Sequence, residues 1–311
     1  MTTKRAFLFP GQGAQYATMG KDLCSTWPAA NEVFSKVSER LGFDLAKICF
    51  EGSDDDLVRT DIQQPAILTH SIAAMEALRA ERGNDAVRAD AACGLSLGEY
   101  SALVFAGVLS VEDGAYLVRK RGEYMQEASE AYPSTLAAVM KKTRDDLAPI
   151  VAKAAEETGE HCVLGNLIGE TNITISGGKK AIDRAVELIK EIKGRAMVLA
   201  VAGAFHSPYM KMAEEKLAAE IERTTFNAPR IPVVCNVDAT PTTDVATIRA
   251  NLLKQLTSPV LWHDSMQRLV ADGFAEFVET GPGKVLTGTI GRVASEAVVV
   301  NVDRARDLRP E

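Results

Sequence analysis

The pentapeptide Gly94-Leu95-Ser96-Leu97-Gly98 constrains this chain more than any other segment. It follows the small-residue run Asp90-Ala91-Ala92-Cys93 and precedes Glu99-Tyr100-Ser101-Ala102-Leu103, so it reads as a strand turning sharply into a helix with Ser96 at the junction. Glycines on both sides leave room for such a turn, which lifts a serine hydroxyl above the edge of a sheet. The plainer alternative is that Ser96 only caps the helix. Ala6-Phe7-Leu8-Phe9, an apolar run stopped by Pro10-Gly11, reads as a buried parallel strand delivering a loop to the carboxyl edge of a sheet, where α/β sites are built.

Around these two strands the spacing predicts helices over 29–41, 65–81, 98–106 and 111–128. From Ser134 the rhythm changes to strand 136–140, helix 145–156, strand 161–167, strand 172–176, helix 179–192 and strand 195–201. That βαββαβ order is the pattern of a ferredoxin-like unit of about 70 residues, able to close a small core of its own, and it reads as an insertion. The larger pattern resumes with helices over 209–224, 248–256 and 264–272 and strands over 231–236, 274–279 and 297–302. The expected division is therefore 1–132, an inserted 133–202, and 203–311.

With 311 residues, 46% hydrophobic and 25% charged, the chain has the length and composition of a globular α/β protein, not a disordered one. A net charge of -7 repels phosphate backbones and anionic lipid surfaces, which excludes nucleic acid as the expected partner. The five cysteines, Cys24, Cys49, Cys93, Cys162 and Cys235, show no CxxC spacing and read as small core residues in a reducing compartment, with no metal site. The amino-terminal apolar stretch stops at Pro10-Gly11, short of a signal segment, and the longest apolar run, 196–205, is half of the roughly 20 residues that span a bilayer. The expectation is a cytoplasmic protein that does not enter a membrane.

A serine hydroxyl is nearly inert by itself and needs a base, usually a histidine. Of the four histidines, His70 falls inside a helix, His161 beside charged residues and His263 at a helix start, where surface or core roles are the plainer reading. His206 follows an apolar strand through Ala202-Gly203-Ala204-Phe205 and precedes Ser207-Pro208, which places it on a loop at a strand end. Arg121 reads either as a solvated helix residue or as a planar fork for a substrate carboxylate. Gln12, Gln63, Asn166 and Gln255 are neutral polar residues in loops or at element ends, and none singles itself out.

Six segments occur here in the order in which malonyl-CoA:acyl carrier protein transacylases carry them. They are Phe9-Pro10-Gly11-Gln12-Gly13-Ala14-Gln15, Gly94-Leu95-Ser96-Leu97-Gly98-Glu99-Tyr100-Ser101, Arg121-Gly122 with Met125-Gln126-Glu127-Ala128, Gly203-Ala204-Phe205-His206-Ser207, Gln255-Leu256 with Ser258-Pro259-Val260, and Glu279-Thr280-Gly281-Pro282-Gly283. The chain resembles that family from about Ala6 to Val302. The resemblance implies an α/β-hydrolase-like large subdomain with a parallel sheet and a nucleophile elbow, carrying the ferredoxin-like insertion. It implies Ser96 as acyl-accepting nucleophile, His206 as base and then acid, and the N–H groups of Gln12 and Leu97 as oxyanion hole. A main-chain carbonyl at Gln255 would orient the histidine, and Arg121 would pair with the malonyl carboxylate. Gln63, Asn166, Phe205 and Gln255 would line or complete the substrate pocket, with Phe205 and Leu97 matching a malonyl-selective pattern.

The resemblance further implies a monomer that uses a coenzyme A thioester as substrate, no bound cofactor or metal, and an acyl carrier protein as partner. Leu95 stands where many bacterial members have His, and Ile168 where some have Asn. For the pathway, the resemblance fits fatty acid biosynthesis and equally a malonyltransferase acting in trans on a polyketide synthase, and two other readings stay open at this point: a serine acyl hydrolase, against which Arg121 speaks, and a carrier-binding scaffold without activity. The basic residues Lys179, Lys180, Arg184, Lys190, Lys193 and Arg195 are expected to include part of a carrier entrance between the subdomains.

Overall fold

The computed structural model describes residues 3–309, so the outermost residues of the expected ranges, 1–2 and 310–311, lie outside it. The strands are β1 Lys4–Phe9, β2 Ala91–Gly94, β3 Ser134–Met140, β4 Cys162–Gly169, β5 Asn172–Gly178, β6 Arg195–Val198, β7 Val233–Val234, β8 Pro241–Thr242, β9 Phe274–Thr280 and β10 Val298–Val302. They form a six-stranded sheet, β10-β9-β1-β2-β7-β8, and a four-stranded sheet, β4-β5-β3-β6. The first is parallel except for β8, and the second is antiparallel.

Alternation along β1 shows why the large sheet is buried on both faces. Phe7 and Phe9 point into the main core with Phe105 and Leu68, whereas Ala6 and Leu8 join Cys93, Trp262, Phe277 and Leu286 on the opposite face. Phe7 stacks on Phe105 with ring centroids 4.6 Å apart. Glu279, buried at the end of β9, accepts hydrogen bonds from the N–H groups of Leu286 and Thr287 and from Thr287 Oγ1. An acidic side chain thereby caps the helix Val285–Val293 from outside it, satisfying orphan donors of the first turn.

The small sheet has two unlike faces. Ala137, Val139, Ile173 and Ile175 pack against the helices Arg144–Thr158 and Lys179–Glu191 in a separate core. Leu136 and Thr174, from the alternate positions, line a cleft opposite Gly11, Gln12 and Ser96 at the ends of β1 and β2. Residue 260 docks the unit: Leu167 N–H donates to Val260 O and Val260 N–H to Gly165 O, both at 2.9 Å. Trp262 then anchors the joint, fully buried, with its indole N–H donating to Thr289 Oγ1 at 3.0 Å.

Several elements differ from the expected bounds. The helix expected to begin at Pro65 runs Thr60–Arg82, with Pro65 inside it, so the added turn carries Gln63 and Gln64 into the interior. Strand β6 stops at Val198 because the chain leaves the sheet toward His206, with Leu199 N–H held by Leu136 O. Strand β7 is only two residues long, since Cys235 turns back to pair with Thr240 O and Asn236 enters the interior. The helices Lys21–Thr26, Leu45–Glu51 and Val285–Val293 lacked a sequence signal, being too short for a clear period.

Truncating the anchor tests the docking of the two sheets. Trp262→Ala is expected to lower the unfolding free energy by about 3 to 5 kcal/mol, measured by urea denaturation, with a loss under 1 kcal/mol showing that the joint does not depend on it.

Candidate active site

Backbone geometry places Ser96. It lies between β2 and the helix Gly98–Phe105 with φ 51°, a left-handed conformation that costs a non-glycine residue on the order of 1 kcal/mol or more. A Cβ on Gly94 would sit 1.9 Å from the Gly98 carbonyl carbon, and one on Gly98 would sit 2.1 Å from the Phe9 carbonyl oxygen. Only glycine fits either position, and the pentapeptide read from the sequence is this turn. Asn236 holds it from below: its Oδ1 accepts the Ser96 N–H at 2.7 Å and its Nδ2 donates to Gly94 O at 2.7 Å.

His206, also at positive φ, reaches the serine from the other sheet's side of the cleft. Ser134 Oγ accepts the Ala204 N–H, and Ser176 Oγ donates to Phe205 O, so β3 and β5 fix the loop that carries it. Its Nε2 lies 2.8 Å from Ser96 Oγ and its Nδ1 2.9 Å from Gln255 O. A carbonyl can only accept, so Nδ1 carries the proton and Nε2 is free to accept from Ser96. Burial and the nearby Arg121 charge push the imidazole down to about 4, outweighing the hydrogen bonds to the backbone of Gln255 and Ser258. The histidine is therefore neutral, in its basic form, at ordinary pH.

Arg121 is fully buried, and its hydrogen-bond partners are all neutral. Nη1 donates to Gln64 Oε1 at 2.9 Å, while Nη2 donates to Ser96 Oγ at 3.0 Å and Gln255 Oε1 at 3.1 Å. Burial holds its pKa below the usual arginine value. A donor on Ser96 Oγ favours its deprotonated form, so the guanidinium and imidazole act on the hydroxyl in the same direction.

The cleft above these groups encloses about 850 Å³. Gln12, Gln63, Asn166, Phe205, Ser96 and His206 all line it, together with Leu95 and Ile168. Because Phe9 and Gly94 are in register, the Gln12 and Leu97 loops leave neighbouring strand ends, and neither backbone N–H donates to a protein acceptor among the described residues. Gln255 does not line the cleft. Its side chain is fully buried behind Arg121, so its part is in holding the site's own groups rather than a ligand. The six basic residues from Lys179 to Arg195 also lie away from the cleft lining, and Arg184 is paired with Glu157 and Glu187. Gln64, Asn236 and Glu99 join the site without having been singled out for it, since nothing in a neutral amide or a helical glutamate marks it before the chain is folded.

The described residues hold no cluster of three or more His, Cys, Asp or Glu side chains fit for a metal. A serine on a strained turn, a neutral histidine within hydrogen-bond reach of it and a buried guanidinium donating to its hydroxyl are the groups of an enzyme of the serine acyl-transfer class. The profile of the acyl transferase domain matches residues 6–306. The chain is 43% identical over 292 residues to the malonyl CoA-acyl carrier protein transacylase of Bacillus subtilis, covering 94% of this chain and 90% of that protein. It is 40% identical over 294 residues to the transacylase of the same name from Escherichia coli strain K12, covering 94% and 93%. The solved malonyl CoA-acyl carrier protein transacylase of Coxiella burnetii superposes with a TM-score of 0.94 at 32% identity, covering 99% of this chain and 96% of that one. A malonyl-transacylase solved in complex with its type II PKS acyl-carrier protein superposes with a TM-score of 0.93 at 32% identity, covering 98% of each chain. This chain belongs to the acyl transferase family.

The depressed histidine gives a pH prediction independent of the natural substrate. Labelling of Ser96 by a neutral fluorophosphonate should be flat through neutrality and fall to half near pH 4, as the imidazole takes a proton. A midpoint near the ordinary value of about 6.5 would show that burial and Arg121 do not control His206.

Proposed function

We propose that this protein transfers a malonyl group from malonyl-CoA to the phosphopantetheine thiol of an acyl carrier protein, through a malonyl-Ser96 intermediate, in fatty acid biosynthesis. The observation that carries this reading is the placement of Arg121, with a fully buried guanidinium 3.0 Å from Ser96 Oγ. In a malonyl thioester the carboxylate stands one methylene from the carbonyl that a serine attacks, so a cation beside the nucleophile suits a short acyl group ending in a carboxylate. Burying a guanidinium is costly unless it is paired with an anion, so such a substrate gains what a neutral acyl group cannot.

Ser96 Oγ attacks the thioester carbonyl while its proton passes to His206 Nε2. The Gln12 and Leu97 amides receive the oxyanion, Gln255 O steadies the imidazolium through Nδ1–H, and the C–S bond breaks as the coenzyme A sulfur takes the proton from Nε2. The carrier thiol then occupies the place of coenzyme A, gives its proton to His206 and attacks the ester. The C–O bond breaks and Ser96 regains its proton. No step calls for a metal or a bound cofactor. Gln63 and Asn166 line the cleft where the acyl group would lie, and the Phe205 ring narrows it, which disfavours an added methyl branch by about 1 to 3 kcal/mol.

The architecture accords with an α/β-hydrolase-like subdomain, residues 1–132 and 203–311, and a ferredoxin-like insertion, 133–202, whose strand order β4-β5-β3-β6 is that of a split βαβ unit. The names of the Bacillus and Escherichia relatives and the carrier complex support the substrate and the partner. All five cysteines are free, which suits the cytoplasm, and we take the working form to be a monomer.

Intact-protein mass after brief incubation with malonyl-CoA should show one malonyl group, absent from Ser96→Ala and discharged by a carrier protein. Release of free malonate with the carrier ignored would replace transfer by hydrolysis. Arg121→Ala should lower kcat/KM for malonyl-CoA on the order of a hundredfold or more while changing acetyl-CoA turnover far less, read by steady-state assay with both thioesters. Equal losses for the two would remove Arg121 as the carboxylate partner.

A further inference from the structure

Glu99 is a fully buried carboxylate one helical turn beyond the nucleophile, and the transfer steps above make no use of it. Its Oε2 accepts hydrogen bonds from Gln255 Nε2 at 2.7 Å and from the Asn236 N–H at 3.1 Å, while Oε1 is buried without a partner. The first bond decides which way the Gln255 amide faces. With Nε2 committed to a carboxylate, Oε1 must point the other way, where it accepts from Arg121 Nη2 at 3.1 Å. The same Nε2 also donates to Ser96 O at 3.0 Å, and the backbone of Gln255 holds His206. One carboxylate therefore sets the residue that touches the cation, the nucleophile and the base.

The electrostatics follow the same line. Among the described residues Arg121 makes no hydrogen bond to a carboxylate, and of the groups that favour its charged form against burial, Tyr100 and then Glu99, Glu99 is the carboxylate, at one remove through Gln255. We propose that Glu99 is a positioning residue and the resident counter-charge of the site: it orients Arg121 through Gln255, and it takes up a proton from solvent when an anionic acyl group arrives at the guanidinium. This rests on the malonyl reading above. Two anions cannot share one buried cation cheaply, so the incoming carboxylate displaces the charge on Glu99.

Burial already pushes Glu99 up to about 7, against the hydrogen bonds and the Arg121 charge that favour its ionised form. The other groups facing it are Asp238, which adds repulsion, and the Cys93, Cys235 and Tyr100 side chains, which burial raises and keeps neutral. His206, at about 4, is also uncharged near neutrality. The sign is then set. A bound anion raises the affinity of Glu99 for its proton, so binding takes up a proton and weakens as pH rises past about 7.

Two measurements test this. In the first, KM for malonyl-CoA is followed from about pH 6 to about pH 9 in the wild-type protein and in Glu99→Gln, which keeps the shape and removes the charge. The wild type should show KM rising on the order of tenfold above neutrality, and Glu99→Gln a profile at least severalfold flatter, with kcat altered less than KM. In the second, malonyl-CoA is titrated into Ser96→Ala, which cannot be acylated, in buffers of different ionisation enthalpy at about pH 8. Uptake approaching one proton per site is expected, with none for acetyl-CoA and none in the Ser96→Ala, Glu99→Gln double variant. A wild-type slope retained by Glu99→Gln, or no proton uptake by Ser96→Ala, overturns the proposal while leaving malonyl transfer intact. If the wild-type protein is not malonylated at any pH, the substrate reading and this proposal fall together.

Discussion

The carbonyl oxygen of Phe9 lies where a side chain on Gly98 would begin, 2.1 Å from that missing Cβ. This contact lets the helix Gly98–Phe105 start directly above the end of β1, and the rest of the site depends on that closeness. With it Ser96 takes the left-handed conformation, and the turn lies against the loop that carries Gln12, where a Cβ on Gly11 would sit 2.6 Å from Leu95 O. Nothing in the side-chain chemistry of serine provides this. The backbone provides it, and it is stable because β1 and β2 are buried on both faces and cannot move apart.

Around the turn stands a layer of neutral amides. Asn236, Gln255 and Gln64 together bind the Ser96 backbone, the Arg121 guanidinium and Glu99, and the bonds to Arg121 and Glu99 run through the low-dielectric interior. Amides suit this work because each can donate and accept while adding no charge. The outcome is a buried cation and a buried carboxylate held apart by a glutamine instead of neutralised against each other. That separation leaves Arg121 without an anion in direct contact, an arrangement that costs stability.

The small sheet serves this arrangement from the other side. Ser134 and Ser176 grip the loop of His206, and Val260 stitches β4 to the segment that follows Gln255. His206 and the carbonyl it bonds are thus held by the four-stranded sheet and its seam with the segment after Gln255, while Ser96 is held by the six-stranded sheet. Rigid placement of two groups from two packed sheets matters for chemistry, since an error on the order of 1 Å between reacting groups costs most of a rate.

The sequence by itself determined the parts that depend on local geometry or on period. The GxSxG turn, the apolar strand β1, the alternation of strands and helices and the βαββαβ order were all legible, because each follows from steric demands within a few residues or from burial of one face. Ser96, His206 and Arg121 were legible as candidates, the last two sharpened by ordered resemblance to a family. Only the tertiary structure decided that Gln255 stands behind Arg121 and not in the cleft, that the basic helix Lys179–Glu191 lies on the far face of the small sheet, and that Glu99, Asn236 and Gln64 belong to the site. Those facts depend on contacts between residues as far as 159 positions apart, such as Gln255 with Ser96. No local spacing encodes which of many buried amides will face a given guanidinium, because that is settled by how whole faces pack.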